Sequence, residues 1–592
     1  MTSLEPQTEP ALQPPAQPRT HSALFAFAYL AVFCAAVLPY LPTLSYGFVY
    51  DDDVQVAGMP ALRPWHVLPG YFARPIPGFS AHYYRPLFFL WLDMNRHLWG
   101  PRAWGWHLSS VLLHAAACLL ALAVLRRYFR DIKWAALGAL VFAVHPAHVE
   151  SVAWISGGTD TLMSVGLLGS LYLWMRARED SSPWKQAASL VCGGLAVLAK
   201  ETAVILPAII SFHTMMGILR TEADSTKLGD RLAEALRQSV PYLLVAAACL
   251  VIRWLVLRGV PPTAQSISLT EGLLTIPYLL VFYVQHLIWA SKLSLNYDLP
   301  IVNSAQAWAF WAPLVLLGIV GVAVCLWVLR SREMRAAAVV GWFLLPLLPV
   351  LYLPLFSEDD FVHDRYLYLP VMALSIVAGL LGEYFWKPEK RRKTGIVPMA
   401  ILAATVLSLG LGTVVQARPW RNNLLLYTNA VRIAPRNMLA RNNLAREYAF
   451  EGHYAEAAEM FREILSVRPA MWLANYNYGF VNYRLGNLAI AERYLLEAIR
   501  INPYDADEHV CLGTTYLKQG RLAEAEQQVR LGIAQKHDGH GYHLALAIVL
   551  LAQGNPAGAQ EELQQEVRYH PENAIAVARV RAANPQLSAP GR

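Results

Sequence analysis

The sequence predicts an all-α protein in two parts: a polytopic membrane helix bundle of about 11–12 transmembrane helices, then a helical-repeat solenoid. Three observations lead there. Long apolar runs fill residues 22–416 and then stop. Basic residues gather in short clusters between those runs. Beyond residue 417 the chain reads as ordinary soluble helix, in which glycine, alanine and proline recur every 34 residues. A mean hydropathy of +0.33, with only 15% charged residues and 18 tryptophans, is the composition of a chain that lives largely in lipid.

Taken in order, residues 1–21, with Pro10, Pro14, Pro15 and Pro18, read as a disordered N-terminal tail. The run 22–42 is too long for a signal-peptide core and reads as a retained membrane helix. A crossing needs about 20 mostly apolar residues. Runs of this kind follow near 105–125, 134–152, 160–176, 240–257, 272–290, 307–329, 336–355, 366–386 and 395–416, with a short pair at 186–199 and 203–219. The clusters RRYFRDIK (126–133), RSREMR (330–335) and KPEKRRK (387–393) mark cytoplasmic loops. Placing the first cluster inside puts YDDDVQV outside. Placing the other two inside puts SEDDFVHDR (357–365) and everything after residue 416 outside. Together these assignments require an odd number of crossings, about eleven. One of the twelve runs is then re-entrant, interfacial or fused with a neighbour, either within 240–290 or in the short pair around Lys200.

The formal net charge of +7 lies in these loop clusters and forms no stripe suited to nucleic acid. Five of the six cysteines sit inside apolar runs, and no pattern of a disulfide frame or a CxxC metal site is present.

In the soluble part, Gly452, Gly486, Gly520 and Gly554 are spaced by 34, as are Ala457, Ala491, Ala525 and Ala559. Pro435, Pro469, Pro503 and Pro571 keep the register, with His537 in the remaining place. LAREYAFEGHYAEAAEMF and LGTTYLKQGRLAEAEQQV show the tetratricopeptide pattern. Small residues let paired antiparallel helices approach, and proline ends each second helix. Four repeats are expected over 438–573, a connecting half-repeat over 417–437 and a C-terminal tail over 574–592. Such arrays bind protein partners of many kinds.

Ionisable residues at membrane helices are costly and point to function. Asp51, Asp52 and Asp53 follow the first helix. Arg85 sits in HYYRPL (82–87). His145, His148 and Glu150 lie in AVHPAHVE (143–150), Lys200 and Glu201 between the two short runs, and His363, Asp364 and Arg365 in FVHDRYLYLP (361–370). Each has a plainer reading. The three aspartates suit a solvated turn, Lys200 and Glu201 an ion pair holding short helices, and Arg85 and Arg365 snorkelling anchors. The His-x-x-His-x-Glu order suits a metal, although Pro146 interrupts the helix face. All five clusters fall on one side in the charge argument. Acids beside cations at a membrane boundary suit a substrate with an apolar tail and a phosphate head.

GFVYDDD, YYRPLFFL, FAVHPAHVESVAWISG, AKETAVILP and RYLYLP, in this order and followed by the 34-residue repeats, resemble the transmembrane and tetratricopeptide-repeat-containing family, with a bacterial-type composition. The resemblance implies a GT-C membrane fold. It also implies transfer of a sugar, mannose in that family, from a polyprenyl-phosphate-linked donor to a hydroxyl of a protein or glycan acceptor at the non-cytoplasmic face. The family's acidic pair matches Asp51 and Asp52. Its other motifs match Tyr84–Leu87, His145–Glu150, Lys200–Glu201 and Arg365–Pro370, with Asp364 as the acid before the arginine. Many relatives have an arginine where this chain reads GGTD (157–160), so any phosphate contact of that arginine is absent here.

The chemistry needs a base for the acceptor's proton and cations for the leaving phosphate. Asp52 or Asp51 serves as the base in this reading, with Asp52 slightly favoured. Lys200, Arg365 and Arg85 are candidates for the phosphate, supported by Glu201, His145, His148, Glu150 and His363. No cofactor is required, and a divalent metal is allowed. The expected setting is a multi-pass integral membrane protein, in the bacterial inner membrane or the endoplasmic reticulum, with the repeats on the non-cytoplasmic side. Two alternatives stay open: a non-catalytic scaffold that assembles partners through its repeats, and a transferase of the O-antigen-ligase type. A scaffold would leave the polar clusters scattered in space, whereas an enzyme would gather them.

Overall fold

The computed structural model describes residues 19–57, 68–73, 84–217, 227–258, 267–331, 334–386 and 396–587. Among these residues every regular element is helical. The chain divides into two compact units, one of Met1–Ser294 with Leu299–Asn422, the other of Leu295–Asp298 with Asn423–Arg592. Residues 1–18 of the tail expected over 1–21, the KPEKRRK cluster and His82 and Tyr83 of the HYYRPL motif lie outside the described residues, whereas residues 19–21 already belong to the helix Arg19–Val37.

Among the described residues of the first unit, seven helices are long and apolar enough to cross a membrane: Ala23–Ser45, Ala103–Leu125, Leu228–Val256, Leu269–Ile288, Trp308–Arg330, Met334–Leu351 and Val397–Arg421. An eighth arises if Ile132–Val144 and Pro146–Ala153, bent by 51° at the break, count as one span. The bend falls at Pro146, which has no N–H to continue the helical ladder. The remaining apolar runs also form helices, at Thr159–Glu179, Pro183–Ala199, Leu206–Met216 and Val371–Phe385. None of these four is a full-length apolar span. The first ends in a charged turn containing Arg176, Arg178 and Glu179, and the other three have 17, 11 and 15 residues. The expected eleven to twelve crossings thus correspond to twelve helical runs, of which seven or eight suffice by length and apolarity.

The second unit is a stack of antiparallel helix pairs: Met438–Phe450 with Tyr454–Val467, Trp472–Leu485 with Leu488–Ile501, Ala506–Lys518 with Leu522–Gln535, and Tyr542–Ala552 with Pro556–Tyr569. The 34-residue period has a direct structural meaning. Ala457, Ala491, Ala525 and Ala559 are fully buried where the paired helices touch. Gly452, Gly486, Gly520 and Gly554 adopt φ between +79° and +90° at the turn inside each pair, a conformation that strains residues with a Cβ. Asn423–Ile433 forms the helix preceding the first pair. Residues 574–583, expected as tail, form a further helix, because Val577 is buried in the apolar core of the last repeats.

Candidate active site

The acidic triplet sits on an unusual piece of backbone. After Ala23–Ser45 the chain extends, and Tyr50 takes φ +57°, a left-handed conformation that costs energy for a residue with a Cβ. A π-turn follows at Asp53–Ala57. The result points three consecutive carboxylates into different environments. Asp52 is fully buried, and its Oδ1 accepts hydrogen bonds from the backbone N (2.8 Å) and hydroxyl (2.6 Å) of Ser156, while Oδ2 accepts from Val49 N at 3.3 Å. Burial pushes its carboxyl up to about 7, against the lowering effect of those hydrogen bonds. Asp51 is partly exposed and accepts from Gln55 Nε2 at 3.4 Å. Asp53 faces outward.

Ser156 is placed by the ISGGTD turn. A Cβ on Gly157 would stand 2.6 Å from the Glu150 carbonyl oxygen, so only glycine lets the turn fold back this tightly. Asp51 lines a cavity of about 440 Å³, including its open mouth, with Gln55, Arg85, Phe88, Phe89, Trp154, Ser156, Thr159 and Arg365. A second cavity of about 280 Å³ is lined by Asp160, Lys200, Thr202, Tyr366 and Tyr368 among others, and Arg365 borders it as well. Arg365 therefore stands between the two.

The cations are all held by acids. Lys200 Nζ donates to both oxygens of Asp160, at 2.6 and 2.7 Å, and each side chain is 5% exposed. Arg85 grips Glu201 with two parallel hydrogen bonds, Nε to Oε2 at 3.0 Å and Nη2 to Oε1 at 2.7 Å. Arg365 pairs with Glu150 through its side chain, and its backbone N donates to Glu150 Oε2 at 3.0 Å. Its guanidinium also lies 5.4 Å from the centres of the Trp154 and Tyr366 rings. The expected Lys200–Glu201 pair is thus a clasp rather than a mutual bridge. Lys200 ties the short helix pair to the start of Thr159–Glu179, and Glu201 ties it to the start of Pro86–Trp99.

His145 and His148 bond to backbone groups of other segments. His145 Nε2 donates to the Leu287 carbonyl at 2.9 Å and its Nδ1 accepts from Ala147 N at 3.2 Å, which occupies both ring nitrogens. His148 Nε2 donates to the Tyr368 carbonyl at 3.0 Å. With both Glu150 oxygens turned to Arg365, the His-x-x-His-x-Glu order does not assemble a metal site. His363 Nδ1 lies 3.6 Å from Glu150 Oε1, and Asp364 accepts from Ser294 N at 3.1 Å.

Two acids outside the expected set take part, beside the cavity-lining Trp154, Phe88, Phe89 and Ser156. Asp160 holds Lys200, and Asp360 approaches His363 at 3.5 Å. Asp160 was visible in the GGTD departure, where the acid persists although the arginine is missing. Asp360 was one of several acids in SEDDFVHDR, and nothing in the sequence singled it out.

The fold and the site define a class: a multi-pass membrane protein in which a polar, cation-bearing cavity precedes a tetratricopeptide-repeat array. Residues 84–257 match the dolichyl-phosphate-mannose-protein mannosyltransferase family, and residues 442–506, 494–527 and 544–579 match tetratricopeptide repeats. The chain is similar to protein O-mannosyl-transferase Tmtc3 of Drosophila melanogaster, 24% identical over 86% of this chain and 64% of that protein. It is also similar to protein O-mannosyl-transferase Tmtc2 of the same organism, 31% identical over 50% of this chain and 34% of that protein. Among solved structures, the apo oligosaccharyltransferase of Archaeoglobus fulgidus aligns over 72% of this chain and 57% of its own, with 12% identity and a TM-score of 0.38. The chain spans less than two thirds of the length of these curated relatives.

Proposed function

We propose that the protein is a membrane glycosyltransferase that moves a sugar from a polyprenyl-phosphate-linked donor to a hydroxyl, on a mannosyltransferase pattern with a protein serine or threonine as acceptor. The observation behind this reading is the convergence of Asp51, Arg85, Arg365, Trp154 and two phenylalanines on one cavity. These residues come from four separate stretches of a 592-residue chain. A scaffold working only through its repeats has no need of that convergence.

Asp51 is the base in this mechanism, which revises the slight preference for Asp52. Asp51 borders the cavity, whereas both oxygens of Asp52 are taken up by Ser156 and Val49. The Asp51 carboxylate takes the acceptor hydroxyl's proton as the oxygen attacks the anomeric carbon, and the bond to the lipid phosphate breaks on the opposite face. A single displacement inverts the anomeric centre. The phosphate leaves as an anion and needs a cation rather than a proton. Arg365, shared by both cavities, is placed for it, and Arg85 lines the same wall. Trp154, Phe88 and Phe89 offer the flat apolar faces that sugar rings and prenyl chains stack on. Lys200 acts indirectly through its clasp on Asp160, and Asp52 positions the ISGGTD turn. The repeats present or select the acceptor.

The test is transfer from labelled lipid-linked mannose in membranes. Asp51→Asn should lower the rate by about 10²–10⁴-fold, the usual contribution of a general base. Asp52→Asn should keep a larger residual rate, because an amide oxygen still accepts from Ser156. Full activity in Asp51→Asn would end the assignment.

A further inference from the structure

The place where His537 replaces the repeat proline opens a second site, far in sequence from the cavity. The loop KHDGHG (536–541) joins Leu522–Gln535 to Tyr542–Ala552, and it brings His540 to His570 and Glu572. One ligand atom from each of the three lies within 4.8 Å of the others. His570 Nδ1 is 3.1 Å and His540 Nε2 3.8 Å from the same atom, Glu572 Oε1. Three atoms about 2 Å from a tetrahedral ion would be separated by about 3.3 Å.

We propose that His540, His570 and Glu572 form a divalent transition-metal site of the zinc type. The hydrogen bonds of His570 supply the decisive argument. Its Nε2 stands 2.8 Å from the Asp538 carbonyl oxygen, which can only accept, so Nε2 holds the ring hydrogen. In the neutral ring, Nδ1 then directs a lone pair at a carboxylate that can also only accept. Either a proton on Nδ1 or a metal ion satisfies the pair, and the approach of a second imidazole to the same oxygen suits a metal ion. The carbonyl partner on Nε2 is the outer support that metal-bound histidines ordinarily have.

The chain beside two of the three ligands is tied to one buried residue. Glu566, fully buried, accepts from Gly541 N at 2.9 Å, from Leu544 N at 3.1 Å and from Asn573 Nδ2 at 2.5 Å. Gly541 and Asn573 directly follow His540 and Glu572 in the chain, so one buried carboxylate braces both sides of the site. Two imidazoles and one carboxylate suit Zn²⁺ and its neighbours rather than Ca²⁺ or Mg²⁺, which prefer oxygen. A bound ion would join the loop before the fourth repeat to the turn before Ala574–Ala583, closing the end of the array.

The full-length protein in detergent, purified without a histidine tag and stripped with chelator, is dialysed against micromolar Zn²⁺ in excess Mg²⁺. The native chain should retain one Zn²⁺ more than the His540→Ala/His570→Ala variant. Glu572→Gln should weaken binding at least tenfold, and His453→Ala, an exposed histidine of the first repeat, should change nothing. Zn²⁺ should raise the unfolding temperature of the native chain but not of the double variant, with helical circular dichroism confirming that both are folded. Equal Zn²⁺ retention by the native chain and the double variant would overturn the proposal. So would displacement of the ion by Mg²⁺, or undiminished binding in Glu572→Gln.

Discussion

Three adjacent aspartates, indistinguishable by spacing, have three different fates. Tyr50 in its left-handed conformation turns the chain so that Asp51 meets the cavity, Asp52 the protein interior and Asp53 the outside. The buried carboxyl titrates near 7. Because the folded state favours its neutral form, between pH about 4 and 7 the folded chain keeps a proton that the unfolded chain has released. Its contribution therefore favours folding at low pH and is lost as pH rises through that window. The unfolding temperature of the native protein in detergent should fall more between pH about 5 and 8 than that of Asp52→Asn, which stays neutral throughout. Lys200 makes the opposite kind of prediction. Lys200→Met leaves Asp160 buried without its partner and should cost about 3–5 kcal/mol, read from the shift in denaturant midpoint. Lys200→Met with Asp160→Leu should recover much of that loss, since neither position then leaves a buried charge without its partner.

At the scale of elements, the repeats were legible down to the residue. A 34-residue period of alanine and glycine follows from local geometry, namely the contact of two helices and the turn that joins them. Gly486, at φ +85°, caps Trp472–Leu485, and a Cβ there meets open space. Gly486→Ala should therefore cost only the backbone strain, about 1–2 kcal/mol, measurable as a lower unfolding temperature of the array. The membrane helices were legible as positions but not as crossings. Pro183–Ala199 and Leu206–Met216 are apolar yet short, and the Lys200–Glu201 clasp between them fixes their ends to two other helices. Apolar composition records that a segment is buried in something apolar. It does not distinguish lipid from neighbouring helix.

For the whole molecule, the gathering of the polar motifs is the result with most consequence for function. Asp51, Arg85, Glu150, Lys200, Glu201 and Arg365 come from widely separated stretches and build one connected set of ion pairs and cavity walls. The motifs were visible because each breaks an apolar run at a cost that function offsets. Their pairing was not visible, because ion-pair partners here lie 40 to 215 residues apart.

The sequence by itself determined the all-α class, the division into a membrane part and a repeat part, the repeat register and the identity of most polar residues around the cavity. All of these rest on local periodicity or on the rarity of charge within apolar runs. Only the tertiary structure decided which aspartate reaches the cavity, that Lys200 answers to Asp160 and Arg85 to Glu201, that His145 and His148 support the backbone, and that a histidine in place of a proline lies near a metal-like triad. Those outcomes depend on which side chains face one another across distant helices, and pairings of that kind leave no trace in the spacing of residues along one chain.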